Sequence, residues 1–391
     1  MIQTENIHMM TRDVAVFGSG VFGAWTALWL RRSGASVALL DPHGPGNSRS
    51  SSGGESRIIR MGYGPDEIYT LWSMRSLGHW KELAAQTGQR LFEQTGVLWM
   101  ALEGDEYAAH TKRLLEKHGV ELETLAAAEL AARYPQITCP PGSWGLFEPG
   151  SGALMARRAV QAVAAEGARL GVEQLGEAAA RPDGAGLLRE VVTTSGTRIS
   201  AGVFVFACGP WLPGLFPDLL GRRIHPTRQE VMFFGPRAGD RRFAPGRFPV
   251  CLDLTDPRKP YCFPELDGRG YKIAIDAHGP LFDPDSADRT LTPQGIADVR
   301  AYLAARYPDL RNAPLLESRV CQYENTSSGN FLIDRHPDFN NVWLVGGGSG
   351  HGFKHGPALG EHVAALISGQ AGVEQRFSLA SKAESRAREV F

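Results

Sequence analysis

The sequence predicts an α/β protein: a Rossmann-like unit on a parallel sheet, joined to a second unit built of short β-strands. Three observations carry this. An apolar run, a G-x-G-x-x-G turn, a helical stretch and a second apolar run ending on an acid occupy the first forty or so residues. Near the other end, NVWLVGGGSGHGFKHGPALG sets a strand against another glycine-rich turn and a helix. Between them, over residues 222–323, short β-type runs alternate with prolines, which suits a sheet of short strands. At 391 residues the chain also exceeds one ordinary core, so two domains are expected.

Residues 13–17 (DVAVF) are apolar almost throughout and read as a buried parallel strand. GSGVFG follows, placing Gly18, Gly20 and Gly23 in dinucleotide spacing. Residues 24–32 continue as a helix, residues 35–40 (ASVALL) form a second strand, and Asp41 follows 18 residues after Gly23. In such a βαβ unit the glycines allow a tight turn and close approach to a pyrophosphate, and the acid takes a ribose hydroxyl. The fingerprint suits NAD and FAD equally; the next segment, PHGPGNSRSSSGGESRIIRMGYG, separates them. A nicotinamide-dependent dehydrogenase would proceed promptly to its next helix. Here a long serine–glycine loop with Arg49, Arg57 and Arg60 suits wrapping around a larger ring system. Ser50 and Ser51 offer hydroxyls and N–H groups to a pyrophosphate or to the polar edge of a flavin. The isoleucines between Arg57 and Arg60 mark the segment as half-buried.

Residues 201–207 (AGVFVFA) read as another buried strand, with Cys208-Gly209-Pro210-Trp211 as a turn near the cofactor. In the C-terminal turn, Gly348, Gly350 and Gly352 let backbone approach a flat or charged ligand, because no side chain intervenes. The helix after Phe353 and Lys354, with Pro357 as its first residue, directs its positive end back at that ligand.

Composition narrows the class further. Apolar content of 43% and charged content of 21% are ordinary for soluble globular chains. A net charge of −1 gives no attraction to nucleic acid or membrane. The longest apolar stretch, residues 21–30, stops at Arg31-Arg32, short of a membrane span, and MIQTENIHMMTR lacks the apolar core of a secretion signal. Cys139, Cys208, Cys251, Cys262 and Cys321 are odd in number and contain no C-x-x-C pair. They point to a reducing compartment, with no zinc site and no disulfide framework. A cytoplasmic enzyme is the expectation.

With these motifs in order, the chain resembles the monomeric sarcosine oxidase family of flavin amine oxidases, within the D-amino-acid-oxidase-like group. The matching pieces are GSGVFG, ESRIIRMGYG, TGVLWM (95–100), FEPGSGAL (147–154) and RQEVMFF (228–234). They end with the segment from Cys321 to Gly360, which carries C-x-Y, F-x-I-D, H-P and G-x-S-G-H-G-F-K in sequence. The resemblance implies a discontinuous FAD-binding domain of residues 1–90, 150–221 and 325–391. Residues 91–149 and 222–324 would form the substrate-binding domain, an α+β unit whose large mixed sheet covers the flavin's face.

The resemblance also assigns roles. Cys321 would tether FAD covalently, through a thioether to the ring's 8α-methyl carbon. Arg60 and Lys354 would clamp the substrate carboxylate, for which an arginine fork and a lysine point charge are suited. Lys272 would lie near flavin N5 and stabilise reduced oxygen; a unit charge at about 4 Å is worth roughly 4 kcal/mol at an intermediate dielectric. That is about a thousandfold in rate. Strand alternation in YKIAID would put Lys272, Ala274 and Asp276 on one face. Tyr323 and Tyr261 would line a dry pocket in which the substrate amine is kept neutral. Asp276 stands where sarcosine oxidases carry a histidine that contacts substrate, which moves the expectation away from sarcosine itself. Gly53 stands where relatives have a histidine in the flavin loop, so that contact would be made otherwise. Glu324 and Glu230 add acids near the expected site.

The implied function is an FAD-dependent oxidase of a secondary amino acid, N-methylated or cyclic. Hydride would pass to flavin N5 and oxygen would be reduced to hydrogen peroxide, in a monomer without metal, nucleic-acid or membrane partners. The alternatives are a flavin dehydrogenase with a quinone or protein acceptor, a fructosyl-amino-acid oxidase, a nicotinamide-dependent dehydrogenase and a non-catalytic flavoprotein.

Overall fold

The computed structural model describes residues 10–384, which build a seven-stranded, an eight-stranded and a three-stranded sheet. Residues 1–9, most of the segment read above for a secretion signal, lie outside the described residues.

The seven-stranded sheet is the predicted parallel one. β1 (Met10–Phe17) pairs in parallel with β2 (Val37–Leu40) on one side and with the strand Arg198–Phe206 on the other. Val342–Gly346 extends it beyond Arg198–Phe206, and Glu173–Leu175 beyond β2. Leu332–Arg335 and Glu190–Val192 add antiparallel partners. Alternation along β1 explains why it is apolar without a break. Val14 and Val16 pack with Ala24 and Leu28 of α1 (Val21–Arg32), whereas Ala15 and Phe17 join Phe204, Phe206 and Phe216 on the opposite face. The helix Gly356–Ile367 lies against α1 almost backbone to backbone: a Cβ on Gly360 would sit 2.6 Å from the Trp25 carbonyl carbon.

The larger sheet runs in the order Leu315–Thr326, Ile224–Phe234, Tyr271–Ile275, Pro260–Phe263, Val250–Asp253, Val97–Leu102, Ser143–Glu148, Glu123–Leu125. It is antiparallel except where Val250–Asp253 meets Val97–Leu102, so it is mixed as expected. One face buries Met232, Phe234 and Ile273 against Val299 and Leu303. The other holds a smaller apolar cluster of Val231, Phe233, Ala274 and Cys321.

The expectation of uniformly short strands over residues 222–323 is corrected in two ways. Ile224–Phe234 and Leu315–Thr326 are 11 and 12 residues long and pair along nearly their whole length. Residues 293–306 form a helix of 14 residues rather than strand. Its Pro293 starts the helix instead of breaking it, and Thr292 Oγ1 accepts from the Gly295 N–H at 3.0 Å. A proline in a first turn costs nothing, since that N–H has no partner there in any case. Among the described residues no helix is long and apolar enough to cross a membrane.

Candidate functional site

A cavity of ≈ 610 Å³ is lined from both large sheets. The turn after β1 supplies Gly18 and Gly20, the end of β2 supplies Asp41, and the serine–glycine loop supplies Ser50, Ser51 and Arg57. Cys321 and Tyr323 line it from the larger sheet, and Gly348, Gly350, Gly352 and Phe353 from the C-terminal turn. Gly18 has φ +102°, and a Cβ there would meet the Ala207 carbonyl oxygen at 2.3 Å. Gly23 is not in the wall. A Cβ on it would lie 1.8 Å from the Gly18 oxygen, so its role is the close seating of α1.

The N-terminus of α1 carries no acid in its first turn and only a neutral hydroxyl, Ser52 Oγ, which accepts from the Val21 N–H at 3.0 Å, so its positive end still faces the cavity. Asp41 is fixed at the rim by the Ser19 and His43 N–H groups, each at 2.9 Å. Ser51 Oγ is buried with no hydrogen-bond partner. A glycine cradle, a helix start without a carboxylate, an unsatisfied hydroxyl and a volume in the range of cofactor sites together fit a dinucleotide such as FAD.

A second cavity of ≈ 70 Å³ shares Arg57, Cys321, Tyr323, Gly350 and Phe353 with the first. Its remaining walls include Arg60, Tyr261, Asp276 and Lys354, so the structure gathers these predicted residues around one small space. Arg60 is buried, donates to the Gly62 carbonyl and stacks its guanidinium 4.3 Å from the Tyr63 ring and 4.6 Å from that of Trp99. Lys354 Nζ donates to Tyr63 Oη at 2.7 Å and to the His351 carbonyl at 2.9 Å. Tyr323 Oη donates to Asp276 Oδ1 at 2.9 Å; burial and that carboxylate push the phenol well above its usual range. Burial pushes Tyr261 up to about 12, with Arg57 pulling the other way. Asp276 sits one residue past the end of Tyr271–Ile275, not on the strand itself, yet it still reaches Tyr323. Cys321 is buried at the boundary of the two cavities, its Sγ 3.5 Å from Arg57 Nη2.

Lys272 lines neither cavity. Its ammonium donates to the Ser56 carbonyl at 2.8 Å and to Ser56 Oγ at 3.0 Å, and lies 4.2 Å from the centre of the Phe263 ring. Burial, then Arg57, pushes it well below the usual lysine range. Glu230 is corrected: it lines neither cavity and pairs with Arg228 at 2.9 Å, capping the approach to the helix Pro293–Arg306 through the Thr292 N–H. Glu324 lines the larger cavity as expected, and burial raises its carboxyl to about 7. At Gly53 a Cβ would meet the Asn47 oxygen at 1.7 Å and Arg319 Nη2 at 3.2 Å. Arg319 thus occupies the space a histidine side chain would need.

Sequence reasoning missed the supports. Glu148 is fully buried and accepts from the Met61 N–H (2.7 Å), Trp99 Nε1 (2.7 Å) and Ser151 Oγ (2.6 Å), which fixes the loop carrying Arg60. Tyr63 lies within 2.8 Å of His355 Nε2 as well as 2.7 Å of Lys354. An acid inside FEPGSGAL was the available signal for Glu148; nothing local marks Tyr63.

Comparison with known proteins identifies the family. The model of the family of FAD dependent oxidoreductases (DAO) matches residues 13–366. The monomeric sarcosine oxidase of Bacillus sp. (strain B-0618) is 30% identical over 364 residues, covering 90% of this chain and 91% of that one. The human peroxisomal sarcosine oxidase is 31% identical over 362 residues, covering 89% and 90%. Among solved structures, a thermally stable mutant of fructosyl peptide oxidase superposes with a TM-score of 0.81 at 23% identity, covering 94% of this chain and 93% of that one.

Proposed function

The chain belongs to the family of FAD dependent oxidoreductases, and from that premise we propose that it oxidises a compact secondary amino acid, N-methylated or cyclic, with oxygen as acceptor. An FAD-dependent amine oxidoreductase of the sarcosine oxidase kind is the broader identity. The observation that carries the finer reading is the ≈ 70 Å³ cavity, walled by Arg60 and Lys354 and sharing Cys321 and Tyr323 with the dinucleotide cavity. Its size favours a small substrate over a fructosyl adduct.

Arg60 and Lys354 hold the substrate carboxylate, and their charge, with the half-buried rings of Tyr261 and Tyr323 beside them, favours the neutral amine. Asp276, through Tyr323, sets which substituent the amine can carry. When bound, FAD supplies the two-electron acceptor for a hydride leaving the carbon next to nitrogen, which makes the substrate an imine. Gly18, Gly20, Ser51 and the N-terminus of α1 would hold its pyrophosphate, and Cys321 is the residue for its covalent attachment. We assign the seven-stranded sheet to the FAD-binding domain of residues 1–90, 150–221 and 325–391, and the larger sheet to residues 91–149 and 222–324. All strands of these two sheets fall in those segments except the last two residues of Leu315–Thr326, whereas the three-stranded sheet crosses the boundary by pairing Phe92–Glu93 with Gly152–Leu154.

The test is a peroxide-release screen over N-alkyl, cyclic and glycated amino acids. Turnover of glycated substrates alone, or of none, would sink the reading. One observation favours a second reading, a dehydrogenase with a quinone or protein acceptor: Lys272 is tied to Ser56 and reaches neither cavity. With a substrate in hand, an oxygen electrode separates the two, because a dehydrogenase would bleach dye and consume little oxygen.

A further inference from the structure

We propose that Glu324 binds the cofactor as a neutral acid, its Oε2 hydroxyl donating a hydrogen bond to an oxygen of FAD. This rests on the FAD reading above. Glu324 lies on Leu315–Thr326, is 8% exposed and lines the ≈ 610 Å³ cavity. Its Oε1 accepts from the Gly348 N–H at 3.1 Å, which anchors the carboxyl to the glycine turn. Its Oε2 is buried without a hydrogen-bond partner. That atom lies 3.9 Å from where a Gly209 Cβ would be and 3.4 Å from where a Gly346 Cβ would be. Gly209, which lines the cavity, therefore leaves it room on that side.

The titratable and charged groups around it are Cys208 on the neighbouring turn, Tyr323 and Cys321 on its own strand, and Asp41, His43, Arg57, Glu177 and Asp285 elsewhere in the cavity wall. None donates to Oε2, and no cation offsets the burial. With only Oε1 satisfied, a buried carboxylate would leave charge on Oε2 without a donor, whereas a carboxylic acid needs only one acceptor there. The protein wall provides none; a flavin nucleotide, with its hydroxyl and carbonyl oxygens, does. The acid near 7 that burial produces agrees with this arrangement.

The experiment measures FAD affinity from pH 6 to 8.5 by titrating flavin into apoprotein, in a Cys321→Ser background that leaves the flavin dissociable. Glu324 wild type should lose affinity about tenfold per pH unit above neutrality. Glu324→Gln should bind as tightly as the wild type does at pH 6, with no pH dependence. Glu324→Leu should bind at least tenfold more weakly at every pH. Equal, pH-independent binding by all three would overturn the proposal while leaving the FAD reading intact; no binding by the wild type would overturn both. If the Cys321→Ser chain fails to fold, melting of the holoprotein replaces the titration. The wild type should then lose melting temperature above pH 7 and Glu324→Gln should not; parallel curves would overturn the idea.

Discussion

At the residue scale, the chemistry rests on buried charges whose neighbours decide their state. The Tyr323–Asp276 hydrogen bond of 2.9 Å closes one wall of the small cavity. Asp276→Asn keeps the shape and removes the charge, so kcat/KM for the preferred substrate should fall by about tenfold or more, the worth of a charge-assisted bond. The Tyr323 phenol should titrate lower at the same time, which ultraviolet titration would detect. Lys272→Met separates two roles. If Lys272 serves oxygen, flavin reoxidation should slow by about a thousandfold while anaerobic bleaching by substrate changes little; stopped-flow traces of both half-reactions would show it. Glu324 gives a pH dependence with a definite sign. Its folded-state value, about 7, lies above the 4.5 of an ordinary glutamate, so the folded apoprotein holds the proton that the unfolded chain has released. Apoprotein stability should therefore fall as pH rises from about 4.5 to 7, by roughly 3 kcal/mol, and level off above. Glu324→Gln should flatten that slope in urea melts; an unchanged slope would assign it to other groups.

Elements show where local sequence spoke and where it did not. The β1–α1–β2 unit was legible because its signals are short-range: alternating burial, glycines at fixed offsets and an acid at the end of β2. The helix Pro293–Arg306 was missed because its Pro293 resembles the strand-breaking prolines around it, and the distinguishing signal is the Thr292 hydroxyl one residue earlier. Replacing Thr292 by Ala should cost about 1 kcal/mol, the ordinary worth of such a cap. Arg60 and Lys354 were found from motifs, whereas Glu148 was not, since its importance lies in partners from three separate segments. Glu148→Ala strands the Met61 N–H, the Trp99 indole and the Ser151 hydroxyl in the interior. A loss of about 3 kcal/mol or more is expected, with KM rising as the Arg60 loop loosens, measured by denaturant melts and steady-state kinetics.

For the whole molecule, the two large sheets meet the same cavity: Gly18 and Asp41 reach it from the parallel sheet, Cys321 and Glu324 from the mixed one. That convergence could not be read from periodicity, because it depends on Leu315–Thr326 belonging to the mixed sheet while Leu332–Arg335, a few residues on, belongs to the parallel one. It has an energetic consequence. A ligand that touches both sheets stabilises both, by about 4 kcal/mol when present at a thousandfold excess over its Kd. Removing FAD from a Cys321→Ser chain should therefore lower the melting temperature by several degrees. Amide exchange should also quicken in both β1 and Leu315–Thr326, not in β1 alone. Exchange protection confined to β1 would mean that the mixed sheet does not grip the cofactor. The site would then be an ordinary dinucleotide cleft with a substrate pocket placed beside it, and the contacts at Cys321 and Glu324 would contribute nothing to holding the flavin.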